Sequence, residues 1–403
     1  MRASLSFVLV LSCLVSAAQT VVRDMLSYPL SEEEIGLVAA REAFLEDHQF
    51  NSPWLRELDF RVRPNNIETS LSEYRLRFGI LNPAEIKANK AYYKLLVSQQ
   101  EFERAKVIND VLRRRYELIL EGYYLQHSRK IVEANLEALN EIKSLVLTQT
   151  ADLDDILKLE EEITKEELNM RGLVRSMNQL KVAYVNFGVT DLPPFEDVNW
   201  VQKEQIDSMI RTVSEDQTMK LISKQYDLAR EESILKIDKA EAFSNLGFVQ
   251  AEYNNDRGDT FDENLRFQLG IQIPIFNTDR PNNQRRELAL IEERSEYERL
   301  LSTERNEQEI SVLELSDYLL EWKLIEAKQA ALIQYQEAVQ EAGGTVETYD
   351  RLRSYTFFLQ KAGLRAQLDV LSRYIGILAV AGKLGEAPYH NYLSRDQEIF
   401  ELN

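Results

Sequence analysis

Residues 265–276 read LRFQLGIQIPIF. Leu265, Phe267, Leu269, Ile271 and Ile273 alternate with Arg266, Gln268, Gly270 and Gln272 until Pro274 ends the pattern. A period of two, apolar on one side and polar on the other, predicts a strand between an apolar and a wet surrounding. In a soluble protein the apolar side would be core. In an exported protein it can face lipid while the polar side lines water. Upstream, Phe243 to Tyr253 reads as a weaker strand, and Asn254-Asn255-Asp256-Arg257-Gly258-Asp259 as the turn between the two. A second hairpin lies near the start of the chain. There Leu58, Phe60 and Val62 alternate with Glu57, Asp59, Arg61 and Arg63, a turn surrounds Pro64-Asn65-Asn66, and Tyr74, Leu76, Phe78 and Ile80 alternate with Arg75 and Arg77.

After each hairpin comes a long stretch without proline, Pro83 to Pro193 and Pro281 to Pro388. Each has room for a long helix, a reversal and a second helix. In the first, Val111, Leu118, Leu125, Val132, Leu139 and Val146 are spaced by seven, and Met170, Leu173, Met177, Leu180, Tyr184 and Phe187 follow 3-4 spacing. In the second, Leu315, Tyr318, Trp322, Ile325, Leu332 and Val339 take the same positions, as do Leu364, Leu368, Leu371, Ile375 and Leu378. Seven-residue periodicity held this long predicts left-handed coiled-coil packing. The reversals are also legible. Thr150 can cap a helix whose first turn carries Asp152, Asp154 and Asp155, where the positive helix terminus favours carboxylates. Gly343-Gly344 can end one helix, and Thr345 with Glu347 and Asp350 can begin the next. From Pro83 to Thr150 a helix would run roughly 100 Å.

The 403 residues are 44% apolar and 29% charged, too apolar for a disordered chain and too charged for a polytopic helical membrane protein. A net charge of −19 argues against nucleic-acid binding, which rests on basic groups meeting phosphates. Cys13 is the single cysteine, so an internal disulfide or a cysteine-based zinc site is excluded. His48, His127 and His390 are scattered, and the sequence contains no metalloprotease, nucleophile-elbow, P-loop or dinucleotide-binding motif. An enzyme is not expected, nor a cofactor. Residues 1–18 look like a secretion signal: Arg2 precedes the apolar run Leu5 to Val15, and Ser16-Ala17-Ala18 supplies small residues for cleavage. A competing reading makes Cys13 a lipidated N-terminus. After the signal no apolar run approaches the length of about 18 residues that suggests a spanning helix, so any membrane insertion must use strands.

The order strand, turn, strand, proline, long helix, reversal, second helix occurs twice, with Pro83 and Pro274 in equivalent places and Thr150 and Thr345 opening the returning helices. This ordered set resembles the TolC family of outer-membrane efflux proteins. Its most specific local piece is LRFQLGIQIPIF. TADLDDILKLEEEI (150–163) and GGTVETYDRLRSY (343–355) resemble the family's two helical tips. The resemblance covers about Ser31 to Gly385. It implies a mainly helical fold with some β structure: long coiled-coil hairpins forming an α-barrel, plus four strands given to a trimeric 12-stranded outer-membrane β-barrel. The expected division is a signal peptide (1–18), an N-terminal helical segment (19–52), barrel hairpins (53–82 and 242–276), helical hairpins (83–192 and 277–385), an equatorial linker and helix (193–241) and a C-terminal tail (386–403).

The resemblance further implies a homotrimer in outer-membrane lipid with a large periplasmic portion. It would be joined through a periplasmic adaptor to an inner-membrane transporter of the RND or ABC class. Leu265, Phe267, Leu269, Ile271 and Ile273 are the expected lipid-facing residues. Thr150, Asp152, Asp154, Asp155, Gly343, Gly344, Thr345, Glu347 and Asp350 are the expected docking and gating tips, where carboxylates from three copies would form a negative rim. The rival reading is a periplasmic structural coiled-coil protein with two soluble hairpins.

Overall fold

The computed structural model describes residues 22–48, 55–64, 72–80, 82–148, 153–187, 189, 195, 198–242, 246–254, 265–271, 280–342 and 345–402. The expected signal segment, most of both hairpin turns, Pro193-Pro194, and the tip residues Thr150, Asp152, Gly343 and Gly344 lie outside them, as does Ile273. In chain order the elements are α1 (Glu32–Asp47), β1 (Leu55–Pro64), β2 (Ser72–Ile80), α2 (Pro83–Thr148), α3 (Leu153–Val185), α4 (Lys203–Val213), α5 (Met219–Ala242), β3 (Leu246–Asn254), β4 (Leu265–Ile271), α6 (Arg280–Ala342) and α7 (Val346–Val380). A 3-10 turn at Lys383–Gly385 and the short pair β5 (Tyr389–His390) and β6 (Ile399–Phe400) follow.

The helices begin where local chemistry says they should. Pro83 is the first residue of α2, the position where its missing N–H costs nothing. Asn82 Oδ1 accepts from the Ala84 N–H at 3.0 Å and so caps that helix. Thr345 caps α7 by accepting from the Thr348 N–H at 3.3 Å. The two long helices are 66 and 63 residues, about 95–100 Å each at 1.5 Å per residue. Among the described residues no helix is long and apolar enough to cross a membrane.

Contacts divide the chain into two units, with α2 and α6 contributing to both. The first comprises Met1–Glu34, Ala105–Met219 and Glu304–Asn403. Its core is apolar and continuous: Ile108, Leu112, Tyr116, Ile119 and Leu120 of α2 join Leu180 and Tyr184 of α3, Ile206 and Ile210 of α4, Leu315 and Leu319 of α6, and Leu371, Tyr374, Ile375 and Leu378 of α7. The expected heptad is the ridge that packs, for Val111, Leu125, Val132 and Leu139 are buried. At Gly122 the packing leaves no room for a side chain: a Cβ there would sit 2.6 Å from the Tyr184 hydroxyl and 2.9 Å from the Phe195 ring. The two chain ends are fastened to this core. Arg115, 1% exposed, donates to the carbonyls of Leu26 and Tyr28 at 2.8 and 2.7 Å. The Tyr116 hydroxyl donates to His390 O at 2.7 Å and accepts from the Tyr392 N–H at 3.2 Å. Burial raises the Tyr116 phenol well above its ordinary value, so this hydroxyl keeps the proton it donates.

The second unit comprises Ile35–Arg104 and Lys220–Thr303. It holds the sheet, with strand order β1-β2-β3-β4, antiparallel throughout. Its helices are joined mainly by polar contacts. Lys224 pairs with Glu293 and Glu296 at 2.6 and 2.8 Å, Lys239 with Glu287 at 2.6 Å, Arg294 with Glu232 at 2.5 Å, and Arg286 with Asp238. Among its described residues only Val38, Leu221, Leu235 and Leu290 are buried apolar side chains.

Candidate functional site

Among the described residues the sheet sorts its side chains by face, with Phe248 the exception. Cross-strand partners form rows, and three rows are wholly apolar: Leu58–Phe78–Val249–Leu269, Phe60–Leu76–Ala251–Phe267 and Val62–Tyr74–Tyr253–Leu265. The rows between them are polar. They are Asp59–Arg77–Gln250–Gln268 and Arg61–Arg75–Glu252–Arg266, with Arg63 opposite Glu73 beyond. Because side chains alternate along a strand, these two sets occupy opposite faces. On the apolar face Phe267 is 73% exposed, Leu269 69% and Leu58 63%. On the polar face Gln250 is only 4% exposed and the Glu252 carboxylate lies near Arg75 at 3.6 Å, while Arg61, Arg63, Arg266 and Gln268 are exposed. Phe248 is the one aromatic ring on the polar side. It lies over Gly270, where a Cβ would overlap it, and the Arg77 guanidinium sits 3.9 Å above its centroid.

This arrangement departs from the usual one. A soluble sheet buries its apolar face and wets the other. Here the apolar rows carry large exposed side chains, Leu58, Phe60, Phe267 and Leu269 among them.

Sequence comparison alone finds no matching protein-family model and no curated protein. Comparison of structures does. The Campylobacter jejuni CmeC outer membrane channel superposes with a TM-score of 0.58 over 94% of this chain and 87% of its own, at 11% identity. The Vibrio cholerae outer membrane protein VceC gives 0.55 over 92% and 96%, at 13%. The open state of the Neisseria gonorrhoeae MtrE outer membrane channel gives 0.55 over 95% and 91%, at 14%. The chain has the TolC-family channel fold.

Within the TolC fold the expected lipid-facing residues Leu265, Phe267 and Leu269 share one face of β4, and Ile271 ends that strand. At the helical ends, Asp154 and Asp155 lie in the first turn of α3, and Asp155 is held loosely by Lys158 at 3.6 Å. Glu347 and Asp350 lie at the start of α7. Glu347 pairs with Arg351 at 2.7 Å, on the exposed surface.

Asp350 has a different setting, which the sequence did not reveal. It accepts from Arg353 at 2.7 Å, and the Arg353 side chain is only 8% exposed. The same guanidinium reaches the Asn135 side chain on α2 and Glu162 on α3, the latter at 3.0 Å. Two turns further along α7, Lys361 pairs with Glu166 of α3 at 2.7 Å. Burial alone would raise the Glu166 carboxyl. Hydrogen bonds from Lys361, Asn169 and Asn135 and the lysine's charge outweigh it and hold the group below its ordinary value. Arg353 and Lys361 therefore clamp the second helical hairpin onto the first. The one local hint was the three-residue spacing of Asp350 and Arg353; the long-range partners leave no periodic trace.

The helices carry a second apolar ridge besides the packed one. Ile310, Leu313, Leu320 and Leu324 recur at heptad-like spacing on α6 and are 53%, 66%, 63% and 59% exposed. On α3, Leu157, Leu168, Val174, Val182 and Val185 are likewise open. Among the described residues no group of His, Cys, Asp and Glu is placed to hold a metal ion.

Proposed function

We propose that the chain is one protomer of a passive outer-membrane efflux duct. The observation that carries this is the two-faced sheet: apolar rows with large exposed side chains on one face and polar rows on the other suit strands set between lipid and a water-filled lumen. Four strands with two open edges cannot stand alone in lipid, where unpaired N–H and C=O groups find no partner. Closure needs further copies, and three would give 12 strands. The duplicated strand-and-helix order would then supply two hairpins per protomer to a helical tunnel below the barrel. The open ridges on α3 and α6 would be covered by neighbouring protomers.

Such a duct has no chemistry of its own; energy would come from an inner-membrane RND or ABC transporter reached through a periplasmic adaptor. The tips, from Thr150 to Asp155 and from Gly343 to Asp350, are where the adaptor would dock and the tunnel would open. Replacing Gly343 and Gly344 with bulky residues is expected to leave trimer yield nearly intact while export fails. The fractionation of the full chain tests the whole reading. A duct resists salt washing, needs detergent for extraction and emerges as a trimer. A chain that washes off in salt as a monomer would instead be the periplasmic coiled-coil protein.

A further inference from the structure

The polar face of the sheet carries a charge opposite to that of the chain. Its described side chains include five arginines, Arg61, Arg63, Arg75, Arg77 and Arg266, against four carboxylates, Glu57, Asp59, Glu73 and Glu252, in a chain of net charge −19. The surplus is concentrated. Register places Arg61, Arg75, Glu252 and Arg266 side by side across all four strands, a row of net +2. The row beside it, Asp59, Arg77, Gln250 and Gln268, is neutral.

Neighbouring carboxylates relieve the row unevenly. Arg61 pairs with Asp59 at 2.9 Å and Arg75 with Glu73 at 2.9 Å, each borrowing its partner from another row. Arg266 makes no ion pair among the described residues and is exposed. Arg61 also stands directly opposite Arg75, an arrangement that costs rather than contributes stability. Every cation in these rows is arginine, whose planar fork stays charged and binds carboxylate or phosphate through two hydrogen bonds.

We infer that this arginine row is an anion-selecting ring, and that the cargo leaving through the barrel bears carboxylate or phosphate groups. The inference rests on the duct reading above, in which each copy repeats the row around one lumen and three copies give a ring of net +6. Rings of arginine in a pore favour anions as rings of carboxylate favour cations. Any acidic rim at the helical tips would act at a separate barrier along the path.

The test uses the full-length protein reconstituted in planar bilayers, with tripolyphosphate as the anionic probe. Reversal potentials in a KCl gradient compare the native protein with the Arg61→Gln/Arg266→Gln and Arg61→Lys/Arg266→Lys variants. The glutamine variant is expected to lose chloride permeability relative to potassium severalfold in dilute salt, and less at 1 M, where the screening length falls to about 3 Å. Its block by tripolyphosphate should weaken about tenfold or more, as loss of hydrogen bonds to a charged group implies. The lysine variant should keep its selectivity. If the double variant fails to assemble, Arg266→Gln alone carries the same test with a smaller expected shift. Channels that conduct normally but show unchanged selectivity and unchanged block would overturn the anion assignment and leave the duct reading standing. Assembled protein that passes no current at all would overturn the duct reading, and the assignment with it.

Discussion

The helical unit and the sheet unit solve the same problem in opposite ways. Around Tyr116, Leu371 and Tyr374 the chain packs apolar side chains to complete burial and ties both ends of the polypeptide to that core. Around β1–β4 it leaves Phe60, Phe267 and Leu269 open, buries Gln250, and ties the accompanying helices with ion pairs of Lys224, Lys239 and Arg294. The first unit can be stabilised by its own contacts, because area removed from water contributes roughly 25 cal/mol per Å². The second draws less on that source, with only four buried apolar side chains among its described residues. Its apolar rows are the ones that the proposed duct would set against lipid and neighbouring copies.

Substitutions can separate the two. Leu371→Ala removes a fully buried side chain and is expected to cost about 2–5 kcal/mol. Its effect should be the same in detergent and in lipid, read by thermal unfolding followed by circular dichroism. Leu269→Arg should cost about 2–4 kcal/mol if the residue lies near the bilayer midplane. That penalty should appear only on insertion, as a collapse of trimer yield, while the protein made in detergent unfolds at its normal temperature. Equal losses in both settings would mean that Leu269 is ordinary core.

Two weaker perturbations sharpen the picture of the helical unit. Arg353→Ala removes the hydrogen bonds to Asp350, Glu162 and Asn135, and about 1.5–3 kcal/mol is the usual scale for such charge-assisted contacts. Amide exchange should accelerate locally at the start of α7 and not in the core around Tyr374. The smallest effect concerns acid. The Glu166 carboxyl is held below its unfolded value, so its contribution is fully present above about pH 4.3 and disappears as the pH falls through the lower folded value. Exchange in α7, relative to the intrinsic rate at each pH, should therefore rise in acid, and Glu166→Gln should flatten that dependence. A rise of equal size in the variant would assign the acid sensitivity to another group.

The element types were legible because each rests on a local rule. Alternation marked β4 from Leu265, the proline marked the start of α2, and Thr345 marked the start of α7. The buried heptad ridge through Val132 and Leu139 was legible for the same reason. The charged character of the first hairpin was also plain, since Arg61, Arg75 and their neighbours alternate with apolar residues. What could not be read was which charges meet. That Arg353 reaches Asn135 and Glu162, that Lys361 reaches Glu166, or that Arg61, Arg75 and Arg266 fall in one row depends on packing and register across many residues. A one-residue slip in any strand would have changed the row entirely.

Residue-by-residue accessibility along β4 tests the central claim most directly. With Cys13 replaced by Ser, single cysteines at 266, 267, 268 and 269 can carry a spin label in the full-length protein reconstituted in liposomes. The labels at 267 and 269 should collide with dissolved oxygen, which concentrates in lipid. Those at 266 and 268 should collide with a water-soluble nickel chelate, giving a strict alternation of two. Collision with the chelate at all four positions, or an alternation of the opposite phase, would contradict the account.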